Sequence, residues 1–527
     1  MPNPLYDTLF GRHAGAGTPF LYLPDGSVWT HADLLTRAAG FAHALTGLGL
    51  VPGDRLAAQI DKSADALALY AACAQAGLVF LPLNPGYTAP EMDYFIGNSG
   101  AALLVCTADR APALAEVAAR HGAQLQTLDS DGTGTLADLA QGQRATYPTV
   151  ARSENDLAAI LYTSGTTGRA KGAMLSQRNL LSNAQVLTEV WRFTASDVLL
   201  HALPIFHTHG LFVATNVTLL AGGSMIFQPR LDIDALIGAL PLATTMMGVP
   251  TFYTRLLGDP RCDHALTAHM RLFISGSAPL LAETHRDFTA RTGHRIIERY
   301  GMTETNMNTS NPHDGDRRPG TVGLPLPGTE IRIRDGAGHD LPTGEIGNVE
   351  VRGPNVFMGY WEMPDKTAAD MRGDGFFITG DLGQVSDDGY LTIVGRAKDL
   401  IIAGGFNIYP KEIEEALDAQ PGVGESAVIG VPHPDLGEAV LAIVTARPGA
   451  TPDPAAILAS LSQSLARFKL PRQIIILPDL PRNAMGKVQK AALRETYRAI
   501  FGSYTQSPTE AEFDVLTVGF GTIQLSL

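Results

Sequence analysis

An apolar stretch, Leu157-Ala-Ala-Ile-Leu-Tyr162, empties into Thr163, Ser164, Gly165, Thr166, Thr167 and Gly168, and the run closes on Lys171. Such a run can turn backbone N–H groups and short hydroxyls toward a phosphate chain, with the lysine adding positive charge. A flexible glycine–serine linker shares the composition, but linkers seldom follow a strand of buried type so abruptly. The spacing is not that of a Walker A loop, which has four residues between its glycines and Lys-Ser/Thr straight after the second. Here two residues separate Gly165 from Gly168, Lys171 comes three later, and Gly172 follows it. The expectation is a nucleotide held on some fold other than a P-loop NTPase.

Four further stretches carry chemistry in chain order: Tyr300-Gly-Met-Thr-Glu304, Thr379-Gly-Asp381, Gly395-Arg-Ala-Lys-Asp399 and Pro481-Arg-Asn-Ala-Met-Gly-Lys487. With the loop at 163–171 they resemble the motifs of the adenylate-forming enzymes: acyl-CoA synthetases, peptide-synthetase adenylation domains and luciferases. The resemblance covers nearly the whole chain and stops at Phe501. It implies ATP, Mg²⁺ and coenzyme A. Joining a carboxylate to ATP brings two anions together, so positive charge must sit where negative charge develops. Lys487 resembles the lysine that bridges the carboxylate and the α-phosphate. Glu304, with Thr163, matches the Mg²⁺ position, a hard carboxylate for a hard cation. Thr303 and Thr163 would donate hydroxyls to phosphates, with Tyr300, Gly301 and Met302 beside them. Asp381 resembles the carboxylate that accepts both ribose hydroxyls, with Arg396 on the same sugar. Gly276, Ser277 and Ala278 resemble the adenine-side wall. Lys398 matches a hinge residue, and Gly404, Gly405 and Phe406 match a loop presented to the pantetheine of CoA. Glycines there permit close backbone approach. Arg467, Lys469 and Arg472 are candidates for the CoA phosphates, and equally read as an ordinary basic surface.

The acid to be activated is read from the residues that should line its pocket: His207, His209, Ser277, Met302 and Arg299. Long-chain synthetases need a roomy apolar pocket, and His207, His209, Ser277 and Arg299 are polar. If 295–300 is a strand, Arg299 and Glu298 face opposite sides, so the guanidinium need not be neutralised by its neighbour. A buried guanidinium suits a second carboxylate bidentately. Arg299-Tyr-Gly-Met-Thr-Glu-Thr-Asn306 with Pro204-Ile-Phe-His-Thr-His-Gly-Leu-Phe212 closely resembles malonyl-CoA synthetases, in which the histidine matching His207 is functional. Malonate is the expected acid, and methylmalonate fits the same pocket. Alternatives are a ligase for another small carboxylate, an adenylating enzyme that loads a carrier protein, or a nucleotide-binding protein without catalysis. Retention of Lys487, Glu304 and Asp381 weighs against the last. A lysine acetyltransferase acting on Lys487 would remove the needed charge.

The elements that must position these groups read as an α/β protein: a large N-terminal domain (1–395) of α/β subdomains plus a β-rich region, a hinge at 396–399, and a small mobile α+β C-terminal domain (400–501). The tail 502–527 has a polar start and an apolar end and no assigned role. Ala64 to Gly77 is a helix with a glycine C-cap. Segments beginning at Val79, Gly100, Val198, Gly223, Thr244 and Arg271 read as strands of a largely parallel sheet, at whose carboxyl ends ligands collect. Beyond the hinge, a helix from Pro410 and strands near Ser426, Ala439 and Gln473 complete the small domain.

At 527 residues several subdomains are expected. A net charge of −14 excludes nucleic acid as a partner, since no basic stripe is available to neutralise phosphates. With no long apolar run and no signal-type N-terminus, a cytoplasmic protein without a membrane is expected, as a monomer or weak homo-oligomer. Cys73, Cys106 and Cys262 read as core residues rather than disulfides or metal ligands.

Overall fold

The computed structural model describes residues 2–163, 170–403, 406–433, 436–483 and 486–501. Its chain divides into two compact units, one from Met1–Arg332, Glu350–Thr379 and Ser386–Leu391, the other from Ile333–Val349, Gly380–Val385 and Thr392–Leu527. No helix among the described residues is long and apolar enough to cross a membrane.

The first unit is α/β and holds two sheets. In the six-stranded sheet, Gln124–Thr127, Leu103–Cys106, Arg55–Gln59, Val79–Pro82 and Leu157–Thr163 run parallel in that order, and Lys171–Ser176 closes the edge antiparallel. Val79–Pro82 and Leu103–Cys106 are buried along their whole length, as strands covered on both faces must be. Pro82 is tolerated because it is the last residue of its strand. The helix Ala64–Ala76 is buried on every side, which its alanine-rich sequence permits. Ser63 caps its start by accepting from the Ala66 N–H, and Gly77 ends it at φ 72°.

The nine-stranded sheet carries the other candidate groups. Ile297–Met302, Leu272–Ser275, Thr245–Gly248, Val198–His201, Ser224–Phe227 and Pro19–Tyr22 are its parallel centre. Antiparallel strands finish both ends, Asn306–Ser310 with Leu324–Pro325 on one side and Val28–Thr30 on the other. The expected strands each begin within a few residues of their predicted starts. In sequence, a four-stranded sheet follows, ordered Glu330–Arg334, Gly347–Arg352, Phe377–Val385, Leu391–Arg396.

The second unit is built on the long hairpin Val423–His433 and Gly437–Ala446, with Ile401–Ala403, Phe406–Ile408 and Gln473–Leu477 added. Its hairpin is longer than the sequence suggested, because charged and small residues at both ends still pair. Alternate residues face opposite sides. Val428, Val440, Ala442 and Val444 pack with Ile413, Leu417 and Ile457 of two helices, Pro410–Asp418 and Pro454–Ser464. Ala427, Ile429, Val431, Leu441 and Ile443 pack on the other face with Leu493, from the helix Lys490–Thr496. Both faces are therefore covered.

Candidate active site

The phosphate-loop strand Leu157–Thr163 has the strand Lys171–Ser176 as its antiparallel neighbour, with Thr163 opposite Lys171. Ser164, Gly165, Thr166, Thr167 and Gly168 lie outside the described residues. The returning strand is fixed from its far side: Met174 N–H donates to Gly359 O at 3.0 Å and Trp361 N–H to Gly172 O at 2.7 Å. Gly172 is needed there, since a Cβ would fall 2.9 Å from Ile160 Cγ2.

This clamp delivers a residue the sequence reading missed. Lys171 Nζ lies 4.6 Å from the centre of the Tyr360 ring, a cation–π contact. Tyr360 OH donates to Glu304 Oε1 at 3.1 Å. Burial and the Glu304 charge both push the Tyr360 pKa up, so its proton stays on to be donated. Tyr360 thus joins the lysine of the phosphate loop to the carboxylate of the Tyr300–Glu304 motif. Glu304 is buried on the turn between Ile297–Met302 and Asn306–Ser310. Gly301 and Asn306 shape that turn: a Cβ on Gly301 would meet Asn306 O at 1.9 Å, and Asn306 adopts φ 49°. Among the described residues no three His, Cys, Asp or Glu side chains gather to hold a metal ion. A lone carboxylate fits a Mg²⁺ that arrives on nucleotide phosphates, since that ion keeps most of its shell as water and phosphate oxygens.

At the neighbouring strand ends the acyl-side candidates do come together. Arg299 is only 3% exposed. A Cβ on Gly276 would lie 2.4 Å from its Cζ, so the Gly276–Ala278 loop rests on the guanidinium. Arg299 Nε and Nη2 are buried without a hydrogen-bond partner, and no carboxylate among the described residues forms an ion pair with Arg299. Burial pushes its pKa down to about 9, which still leaves it charged at neutral pH. Glu298 turns elsewhere, accepting from the Gly320 N–H at 3.3 Å. The expected alternation across the strand is seen.

His209 is buried, with Nδ1 3.2 Å from Ser277 Oγ and its backbone N–H donating to His207 Nδ1 at 3.4 Å. Burial first, then Arg299 and His207, hold the His209 ring well below its ordinary pKa, so it is neutral. Ser277 takes a left-handed φ of 73°, an uncommon conformation for a residue with a Cβ. His207, His209, Ser277 and Arg299 therefore form one polar wall.

A further set of candidates belongs to the second unit. Asp381 is buried and paired with Arg396, Nε to Oδ1 2.7 Å. Lys398 lies in a short 3₁₀ turn, Ala397–Asp399, and Asp399 is held by Arg494 at 2.6 Å. A cavity of about 440 Å³ opens between Phe406, Leu436, Ala439, Arg467, Phe468 and Arg472. Phe406 and Phe468 stack with ring centres 4.5 Å apart. Lys469 is drawn away to Glu412 at 2.6 Å, leaving Arg467 and Arg472 as the guanidinium groups on the cavity. Gly404 and Gly405 fall outside the described residues. Lys487 is exposed, and its backbone is tied to Asn483 in both directions, at 3.0 and 2.9 Å.

The model of the AMP-binding enzyme family matches residues 12–361, and that of the AMP-binding enzyme C-terminal domain matches residues 412–487. The chain belongs to the AMP-binding enzyme family. Among AMP-binding enzymes it is 37% identical to a feruloyl-CoA synthase of Amycolatopsis sp, over 90% of this chain and 94% of that one. It is 35% identical to a malonate–CoA ligase of Arabidopsis thaliana, over 85% of this chain and 79% of the other. In three dimensions it is similar to ATP-bound MatB from Rhodopseudomonas palustris, with 56% identity and a TM-score of 0.93, covering 95% of this chain and 100% of that one. This AMP-binding enzyme is an ATP-dependent, AMP-forming acyl-CoA ligase with small-molecule substrates.

Proposed function

We propose that the chain joins malonate to coenzyme A through malonyl-adenylate, with methylmalonate as a second acid for the same pocket. One observation carries this reading: Arg299 is a buried cation with two unpartnered nitrogens. Burying an uncompensated charge is costly. A monocarboxylate would spend its only charge on the phosphate side and leave that cost in place, whereas the distal carboxylate of malonate cancels it. The similarity to a malonate–CoA ligase supports the same choice.

In the first half-reaction a malonate oxygen attacks the α-phosphorus of MgATP and pyrophosphate leaves. Lys171, the 163–168 loop and Glu304 are assigned to the β- and γ-phosphates, and Glu304 would hold the Mg²⁺ that offsets their charge. Asp381 and Arg396 are assigned to the ribose, and Lys487 to the oxygens shared by carboxylate and α-phosphate. In the second, the CoA thiolate attacks the acyl carbon and AMP leaves. Phe406, Arg467 and the cavity beside them are assigned to CoA, and Lys398 to the hinge between the two steps.

The deciding experiment is AMP release by the purified chain with MgATP and CoA. Malonate should be turned over far faster than acetate, succinate, octanoate or ferulate. Acetate turnover equal to that of malonate would sink the Arg299 argument.

A further inference from the structure

Lys62 belongs to none of the motifs above, yet it reaches the acyl wall. Its Nζ lies 2.9 Å from His201 Nδ1 and 2.8 Å from His201 O, with the Phe227 ring 4.2 Å away. No carboxylate among the described residues forms an ion pair with it; its neighbour Asp61 faces Arg110 at 3.9 Å. His201 is fully buried at the end of the strand Val198–His201, and its other nitrogen, Nε2, lies 2.9 Å from Gly210 O.

Hydrogen-bond chemistry fixes the proton. A carbonyl can only accept, so His201 Nε2 must carry the hydrogen. A cationic ring would turn a second N–H against the lysine, and burial together with Lys62 holds His201 well below its ordinary pKa. The ring is therefore neutral, Nδ1 is bare, and Lys62 donates to it. Lys62 holds the bare Nδ1 from one side while Nε2–H grips Gly210 O on the other, so the lysine fixes where the ring stands.

Gly210 matters because of what it carries. It follows His207-Thr208-His209 and belongs to a π-helical segment, His209–Thr215, a geometry seldom stable without outside support. A Cβ at 210 would lie 2.0 Å from Pro204 O, so the chain doubles back tightly there. Thr215 Oγ1 also donates to Gly210 O, at 3.0 Å. The grip on this one carbonyl sets where His207 and His209 stand relative to Ser277 and Arg299.

We propose that Lys62 is a positioning residue for the acyl pocket, acting through the His201 ring it holds against Gly210 O. The malonate arm of its test rests on the substrate reading above; the tautomer arm does not. In ¹⁵N-histidine-labelled full-length protein, the His201 ring, identified by its loss in His201→Gln, should show a protonated Nε2 and a bare Nδ1. Lys62→Met should shift the His201 Nδ1 resonance, because its lone pair loses its donor, while Gly210 O keeps the hydrogen on Nε2. It should also raise the KM for malonate roughly ten-fold, the scale of one lost buried hydrogen bond, while ATP affinity stays within about two-fold. Lys62→Arg, which keeps a donor, should recover part of the loss. A wild-type ring protonated on Nδ1 would overturn the proposal even if Lys62→Met failed to fold. So would an unchanged Nδ1 resonance, or an unchanged KM, in a folded Lys62→Met. If the wild type prefers another acid, the malonate reading fails alone, and the same comparison is made with that acid.

Discussion

At the scale of the residue, the charge of Arg299 is met by no acid among the described residues. Arg299→Ala should lower kcat/KM for malonate on the order of a hundredfold, the usual cost of truncating one member of a buried charge pair. ATP affinity, measured by calorimetry, should stay unchanged; its loss would place Arg299 on the nucleotide side. Gly276→Ala probes the same contact from the opposite loop. Its new methyl would sit 2.4 Å from Arg299 Cζ, so the guanidinium must shift. The KM for malonate should rise by a larger factor than the KM for ATP, since Gly276 is also a candidate for the adenine-side wall. The strand alternation of Glu298 and Arg299 was legible in sequence, because side chains on a strand take opposite faces by geometry alone. That nothing acidic answers Arg299 was not legible, since a partner could have come from any distant element.

Among elements, the hairpin Leu157–Thr163 and Lys171–Ser176 shows where sequence reading stopped. The first strand stands out as an apolar run. The second, Lys-Gly-Ala-Met-Leu-Ser, is short and half small residues, and its pairing is secured by backbone bonds to 358–361. Tyr360 was invisible for the same reason: it meets Glu304 across 56 residues of chain, and no local spacing announces such a contact. Tyr360→Phe keeps the ring under Lys171 and removes only the hydroxyl. The KM for MgATP should rise by about three- to ten-fold, as one lost hydrogen bond to a carboxylate implies, with the KM for malonate unchanged. Equal KM values for MgATP in steady-state kinetics would remove Tyr360 from the site.

For the whole molecule, the two half-reactions can be separated. Lys487→Ala should abolish adenylate formation, read as pyrophosphate exchange, and leave thioester formation from supplied malonyl-AMP largely intact. Loss of both would contradict the assignment of Lys487 to the first step alone. Stability carries its own pH signature. Asp418 is buried at the C-terminal end of the helix Pro410–Asp418, where the helix dipole disfavours an anion, and its Oδ1 has no hydrogen-bond partner. Burial, with Glu414 and Glu425 nearby, raises its pKa to about 7. Between the ordinary carboxylate range and pH 7 the folded chain therefore holds a proton the unfolded chain has released, and stability falls as pH rises through that window. Asp418→Asn should raise the melting temperature more at pH 8 than at pH 5; the reverse order in a thermal scan would refute the buried acid. The α/β class and the small C-terminal sheet were legible from strand-length apolar runs. The buried acid was not, because Asp418 reads as an ordinary polar helix end.

The chain's three cysteines are Cys73, Cys106 and Cys262, and all are buried free thiols. Burial raises each thiol pKa, to about 11 for Cys106 and Cys262, so little thiolate forms near neutrality. To a maleimide dye the native surface is therefore close to blank. A cysteine placed at exposed Leu242 in the first unit and another at exposed Ile476 in the second would accept a donor–acceptor pair without first stripping the natural thiols. The interior chemistry of three small core residues thus leaves the molecule ready for optical measurement of any rearrangement between adenylation and thioester formation.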